Sequence, residues 1–398
     1  MVQERGREPL RDITVLAFEQ AVAAPFATRQ LADLGARVIK IERPDVGDFA
    51  RGYDRAVMGL SSHFVWTNRS KESLTLDLKH PDAREIVERL LERSDVVVQN
   101  LAPGAMERLG WGGSDLRQRF SRMIVCSISG YGSDGPYRDR KAYDLLVQAE
   151  AGVLSITGTP ETPSKAGMSV ADIAGGMYAY AGILTALYDR ERTGDGALIE
   201  VSLLDALVEW MGYPLYYSLY TGQPPARAGA SHPAIAPYGP YPTGDGGTVL
   251  LGVQNEREWA NFCEIVLGQP DLARDARFVS NSERVANRAD LDGLIVAALA
   301  GMTAVDAMER LDQAGIASAR ANTVSEVIDH PQLAARDRWT DIDSPVGPIR
   351  ALFPPVVSDR HAAVMGSVPA VGTQTATILR EIGYDDDTIA RLRDDGAI

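Results

Sequence analysis

Near-continuous apolar runs alternate with amphipathic stretches through the first half of the chain. Ile13-Thr14-Val15-Leu16-Ala17-Phe18 reads as a buried strand. Pro25 predicts the start of a helix, because its fixed φ suits the first helical position. Gly35 predicts the end of that helix, where a left-handed residue is wanted. Arg37-Val38-Ile39-Lys40-Ile41 is the next strand. Pro81 to Arg93 reads as an amphipathic helix with Ile86, Val87, Leu90 and Leu91 on one face. Asp95-Val96-Val97-Val98-Gln99 and Met123 to Ile128 read as two more strands. Strand–helix–strand alternation with near-continuous apolar strands predicts a parallel sheet covered by helices, an α/β fold.

The second half is less regular. A long helix is expected after Asp172, a strand at Leu198-Ile199-Glu200-Val201 and a helix from Leu203 to Tyr220. Thr221 to Gly247 is dense in Gly, Pro and Tyr and reads as a linker or loop. A strand at Thr248 to Val253 follows, with helices at about 255–267, 284–300 and 303–314. The last sixty or so residues predict another strand-rich piece and a final helix near Gln374–Gly383. There is no internal repeat and no low-complexity tract.

At 398 residues the chain is long enough for two or three domains of roughly 150 residues. It can bury a large apolar core without disulfides or metals. The only cysteines, Cys126 and Cys263, exclude a disulfide scaffold and any CxxC-based zinc site. A net charge of -14 disfavours nucleic acid and acidic membrane surfaces as partners, so an anionic small ligand must be held by local Arg and Lys. Met1-Val2-Gln3-Glu4-Arg5 has no apolar stretch after it, which argues against a secretory signal. The longest weakly polar stretch, Gly175 to Tyr188, is too short to span a bilayer. A cytoplasmic setting with no membrane partner is expected.

Gly130-Tyr131-Gly132-Ser133-Asp134-Gly135 fits GxGxxG after a strand. Pro136 and the charged run Arg138-Asp139-Arg140-Lys141 follow it, not an apolar helix, so it reads as a glycine-rich active-site loop and not a dinucleotide site. Arg43, Asn100 and Lys141 sit at or just after strand ends, with Arg108 one short helical stretch on. Ligands of open parallel sheets bind at the carboxyl ends of strands, where two Arg and a Lys would suit a phosphate-bearing cofactor. Each alone reads equally as solvated surface charge. Asp172, in Gly167-Met168-Ser169-Val170-Ala171-Asp172-Ile173-Ala174-Gly175-Gly176, is a lone carboxylate among small residues at a helix start. It is either an ordinary N-cap or a covalent nucleophile. Gly175 and Gly176 weaken the helix and are explicable where backbone and ligand approach closely. Asp144 reads as a simple N-cap of the helix before Gly152. The five histidines form no metal pair, and there is no GxSxG elbow.

Five segments follow one another along the chain: Asp33 to Pro44, Asn68-Arg69-Ser70-Lys71, Gln99-Asn100-Leu101-Ala102-Pro103-Gly104, Ser129-Gly130-Tyr131-Gly132, and Val170-Ala171-Asp172 with its glycines. In this order they resemble the class III CoA-transferase family, the formyl-CoA transferase and carnitine CoA-transferase group. The resemblance covers nearly the whole chain. It implies a Rossmann-like large domain with an inserted smaller α+β domain, and two ring-shaped subunits interlocked as a homodimer. The implied division is 1–220 for the large domain, 221–247 for the linker, 248–320 for the small domain and 321–398 for the return. Asp172 takes the place of the family's nucleophile, and Arg43, Asn100, Arg108, Lys141 and Tyr143 match positions that contact CoA. Coenzyme A is then a substrate carrier and no cofactor is tightly bound. Formyl-CoA transferases carry Gln where this chain has Val22, which weakens formyl or oxalate as substrate. Gly244-Asp245-Gly246-Gly247 is a short candidate for their glycine lid, or a hairpin turn.

The activity implied is transfer of CoA from an acyl-CoA to a free acid through an aspartyl anhydride and an aspartyl-CoA thioester. Gly130, Gly132, Gly175 and Gly176 are candidate oxyanion donors. Several segments are most similar to the succinyl-CoA-dependent, dicarboxylate-using members. A dicarboxylate needs a second cationic contact, for which Arg69, Lys71 and His232 are the candidates. Two alternatives stay open. An α-methylacyl-CoA racemase-like enzyme needs a second proton-transfer group, but Tyr143 stands where those enzymes carry His, and its phenol is a weak acid. A non-catalytic CoA-binding subunit would have no use for Asp172.

Overall fold

The computed structural model describes residues 8–398. Along the chain run β1 (Thr14–Phe18), α1 (Ala23–Asp33), β2 (Arg37–Glu42), α2 (Ser62–Asn68), β3 (Lys71–Thr75), α3 (Ala83–Leu91) and β4 (Val96–Gln99). Then come α4 (Ala105–Leu109), α5 (Gly113–Arg119), β5 (Ile124–Ser129), α6 (Asp144–Glu150), α7 (Val153–Ile156), α8 (Val170–Thr193), β6 (Leu198–Ser202) and α9 (Leu203–Trp210). The chain continues through α10 (Gly212–Thr221), β7 (Tyr238–Pro242), β8 (Thr248–Gly252), α11 (Glu256–Asn261), α12 (Asn281–Ala286), α13 (Arg288–Leu299), α14 (Ala304–Gln313) and β9 (Ala317–Arg320). It closes with α15 (Val324–Ile328), α16 (Pro331–Ala335), β10 (Trp339–Ile342), β11 (Ile349–Leu352), α17 (Thr375–Glu381) and α18 (Asp386–Asp394).

Two compact units result. The first takes the chain through Ala151, then Ala166–Met211 and Leu333–Ile398; the second takes Gly152–Lys165 and Gly212–Gln332. The break in the expected Leu203–Tyr220 helix falls at Met211, at the border between the units.

In the first unit six parallel strands form one sheet in the order β3-β2-β1-β4-β5-β6. This α/β order reverses between β1 and β4, and a crevice at the carboxyl edge of such a sheet opens at that switch. Val15 pairs with Val38 on one side and Val96 on the other. Strands flank β1 at both edges and helices cover the sheet, so Val15 to Phe18 are all buried. Leu16 and Phe18 face a core shared with Ile86, Val87, Leu90 and Leu91 of α3 and with Ile378, Leu379, Ile389 and Leu392 of the C-terminal helices. α1 and α8 pack on each other. α1 begins at Ala23, two residues before Pro25. Gly35, at φ +97, ends it as expected.

α8 is long and apolar enough to cross a bilayer by length and composition alone. Its Ala171, Ala174, Ala179 and Ile183 are buried in this unit, and its end carries Asp189, Arg190, Glu191 and Arg192, as in a core helix. The second unit pairs β7, β8 and β9 antiparallel over a core of Trp259, Phe262, Phe278, Leu291 and Ile295. β7 lies inside the stretch expected to be a linker.

Candidate active site

Asp172 occupies the first turn of α8, whose N-cap is Ser169. A helix between two parallel strands starts at their carboxyl edge, so Asp172 stands at the edge where β1, β2 and β4 end. It is half-buried, and its carboxyl is pushed up to about 7, first by burial and then by the charge of Asp144. Asp144 is not the N-cap of its own helix; Tyr143 is. The Asp144 Oδ1 atom instead accepts from the backbone N–H of Ala171 (2.8 Å) and of Asp172 (3.4 Å). Its Oδ2 accepts from Gln148 Nε2 at 2.7 Å. The Asp144 carboxylate thus caps the start of α8 from the side and adds to the proton affinity of Asp172.

Tyr53 belongs to the same locale, and no motif in the chain marks it. Its phenol is pushed up to about 12 by burial and by the charges of Asp48, Asp172 and Tyr143. Its ring lies 5.4 Å edge-on from His63 and 5.8 Å from Phe49. Tyr143 is 65% exposed, with its phenol free to meet a ligand.

Three of the four glycines lack a free donor. Gly175 and Gly176 lie inside α8, where their N–H groups belong to the helix ladder. A Cβ on Gly175 would come 2.4 Å from Leu203 Cδ2, and one on Gly176 would come 2.7 Å from the Ala23 carbonyl oxygen. They are there to let α9 and α1 approach α8. The Gly132 N–H donates to Ser129 Oγ at 2.9 Å. Gly130 allows close approach too, since a Cβ there would meet Ala142 Cβ at 2.1 Å, drawing Lys141 to Asp144 against the end of β5. The start of α1 carries no side-chain cap.

The cations divide into two kinds. Arg43 follows β2, is exposed and reaches the Gly47 carbonyl oxygen at 3.3 Å. Arg108, on α4, is exposed and reaches the Pro103 oxygen at 3.2 Å. Lys141 is exposed just before α6. Asn100 follows β4; its Oδ1 accepts from Gln20 N and its Nδ2 donates to Gln20 O, both at 2.8 Å, tying the ends of β1 and β4 together.

Arg69 and Lys71, expected to meet substrate, are instead buried structural groups. Arg69 Nε and Nη2 grip Asp33 Oδ1 and Oδ2 at 2.8 Å each. Lys71 Nζ donates to Glu19 Oε1 (2.6 Å), to the Pro25 oxygen (2.9 Å) and to Asn68 Oδ1 (3.1 Å). Burial pushes the Lys71 ammonium down to about 7. Burial alone would raise Glu19, yet Lys71 and Lys40 outweigh it and hold that carboxyl below its ordinary value. His232 lies in the second unit, stacked on Tyr238 at 5.4 Å with its Nδ1 accepting from Ala234 N at 3.1 Å. A cleft of about 1240 Å³ in the first unit runs along β5 and β6 past Gln99, Ser127, Ser129 and Glu200, but Asp172 does not line it.

The family described as CoA-transferase family III matches residues 10–375. The acetyl-CoA:oxalate CoA-transferase of Acetobacter aceti is 37% identical over 84% of this chain and 86% of its own length. The succinate–glutarate CoA-transferase of Agrobacterium fabrum is 33% identical over 94% of this chain and 96% of its own. The crystal structure of a CAIB/BAIF family protein from Brucella suis superposes with a TM-score of 0.83 at 33% identity, covering 94% of this chain and 99% of that one.

Proposed function

The chain belongs to CoA-transferase family III, and from that premise we propose that Asp172 is the acyl-accepting nucleophile of a CoA transfer between carboxylic acids. The Asp172 carboxylate attacks the thioester carbonyl of a bound acyl-CoA, breaking the C–S bond and releasing CoA thiolate. The product is a mixed anhydride. The thiolate attacks the Asp172 carbonyl, expelling the donor acid as a carboxylate and leaving an aspartyl-CoA thioester. An acceptor carboxylate attacks that thioester to form a second anhydride and thiolate. The thiolate then takes the acceptor's acyl carbon, which frees Asp172. Charge and atoms balance at each step, and no proton is needed.

The observation that carries this reading is a half-buried carboxyl at the sheet's carboxyl edge, raised to about 7 by burial and Asp144. A weakly hydrated carboxylate is a better nucleophile than a solvated one. Arg43, Arg108, Lys141 and Tyr143 would hold CoA, and Asn100 would fix the strand ends beneath it; remote binding energy then positions the thioester. The uncapped start of α1 would serve the developing oxyanions that Gly132, Gly175 and Gly176 do not. A dicarboxylate acceptor is favoured by the glutarate-using relative. With Arg69 and Lys71 committed inside the fold, His63 against Tyr53 is the group we assign to its far end. The same proposal includes a cytoplasmic homodimer. The exposed Tyr213, Tyr216, Leu219 and Tyr220 of α10 support a covered face.

A racemase would need a second proton-transfer group at neutral pH, and a Tyr53 phenol at about 12 is a poor one. Incubation with acyl-CoA, quenching in hydroxylamine and peptide mass mapping tests all three readings. A transferase yields a hydroxamate at Asp172 that Asp172→Ala abolishes while CoA still binds. A racemase exchanges its α-proton with deuterated water, and a binding subunit does neither. An unlabelled Asp172 overturns the proposal. Acyl-CoAs crossed with mono- and dicarboxylates then identify donor and acceptor.

A further inference from the structure

We propose that Asp48 is a positioning residue for this transfer: its carboxylate fastens the backbone at Ala21 and at Ala50, and through them the two walls that border Asp172. The inference rests on the reading of Asp172 as nucleophile.

Asp48 is buried, and its partners fix it from several directions. Its Oδ1 accepts from Ala21 N (3.1 Å) and Ala50 N (2.9 Å), and its Oδ2 accepts from Lys40 Nζ (2.8 Å). Its own N–H donates to Glu42 Oε1 at 2.8 Å. Glu42 is in turn gripped by Arg51 Nε and Nη2 at 2.8 and 2.7 Å and by Ser73 Oγ at 2.6 Å. Lys40 is fully buried and also reaches the Glu19 carbonyl oxygen at 3.3 Å.

Each arm of Asp48 leads to the nucleophile. Ala21 holds φ +63, a left-handed conformation that costs any residue with a Cβ and persists where its surroundings impose it. Two residues later α1 begins. The Ala23 carbonyl lies against α8 at Gly176, one turn beyond Asp172. The other arm caps the short 3₁₀ turn Phe49–Gly52, which delivers Tyr53 to the Asp172 locale. Asp48 therefore sets the spacing of both walls from one side chain. A buried ion pair can often be replaced by apolar residues without loss of stability. That substitution separates positioning from mere support.

The test compares two uncharged pairs in the full chain. Lys40→Met with Asp48→Asn keeps an oxygen that accepts from Ala21 and Ala50; Lys40→Met with Asp48→Leu removes it. The readout is the single-turnover rate of hydroxylamine-captured acylation at Asp172, with the acyl-CoA concentration at half-maximal rate measured alongside. The Leu pair is expected to acylate roughly 100-fold more slowly than wild type, and the Asn pair to recover at least about tenfold of that. The half-saturating concentration should move less than about threefold in either. If the Leu pair fails to fold, the Lys40→Met, Asp48→Ala pair replaces it with the same expectation. Equal rates in the Asn and apolar pairs, or a loss that appears only in half-saturation, overturn the inference while leaving a labelled Asp172 intact. A wild-type protein never labelled at Asp172 overturns the acyl-transfer reading, and this inference with it.

Discussion

Asp172 and Asp144 form an unequal pair: Asp144 serves as a helix cap, and burial together with its charge keeps Asp172 close to half-protonated at neutral pH. In the proposed transfer the ionised form of Asp172 attacks, so kcat/KM for acyl-CoA should rise with pH and level off above an apparent pKa near 7, measurable from initial rates. Asp144→Asn keeps the oxygen that accepts from Ala171 but removes the charge. It should shift that midpoint to lower pH by roughly half a unit to one unit. The same displacement has a stability signature. The folded-state value lies above the ordinary 3.8, so the stability tied to the neutral carboxyl is fully present below about pH 4 and lost as pH rises through about 7. Asp172→Asn should therefore unfold less readily than wild type at about pH 8, by about 2–4 kcal/mol in denaturant titrations, with the gap closing in acid. The place of Asp172 at the start of α8 was legible in the sequence because a lone acid among small residues at a helix start is conspicuous; its proposed role came from the family resemblance. Lys71 was misread for the opposite reason. Its charge is written in the sequence, but its partner Glu19 lies 52 residues away, and only the fold shows that the ammonium is buried.

At the scale of elements, small residues matter by what they admit. Gly176→Ala would push a Cβ against the Ala23 carbonyl, a backbone atom that cannot rotate aside. Gly175→Ala meets only the far end of the Leu203 side chain, which can. The Gly176 variant should lose about 1–3 kcal/mol by thermal melting, and the Gly175 variant distinctly less. The apolar strands β1, β2, β4 and β5 were readable because a strand buried on both faces must be hydrophobic almost throughout. β3 was not, because Lys71-Glu72-Ser73-Leu74-Thr75 has an edge strand's mixed composition and its buried polar groups are satisfied by tertiary partners. α18 was missed too, being short and rich in charge.

The first unit as a whole is assembled from three separated stretches of chain. The alternation of strands and helices made its parallel sheet foreseeable, and a return of the C-terminal tail was implied only by resemblance. Nothing local announces that Gly152–Lys165 joins the second unit, since packing partners decide membership. The tail supplies core residues: Ile378, Leu379, Ile389 and Leu392 pack with Leu74, Ile86 and Leu90. A chain ending at Val371 should therefore be insoluble or melt far below the full chain by calorimetry, because uncovering that face exposes several fully buried aliphatic side chains at roughly 1.5–3 kcal/mol each. The tail also sets an order of events during synthesis. The ribosome makes Asp172 and the sheet edge before it more than two hundred residues before Leu392 emerges. The nascent sheet must wait with one greasy flank bare until those residues have emerged, a period in which it depends on whatever in the cell shields unfinished proteins.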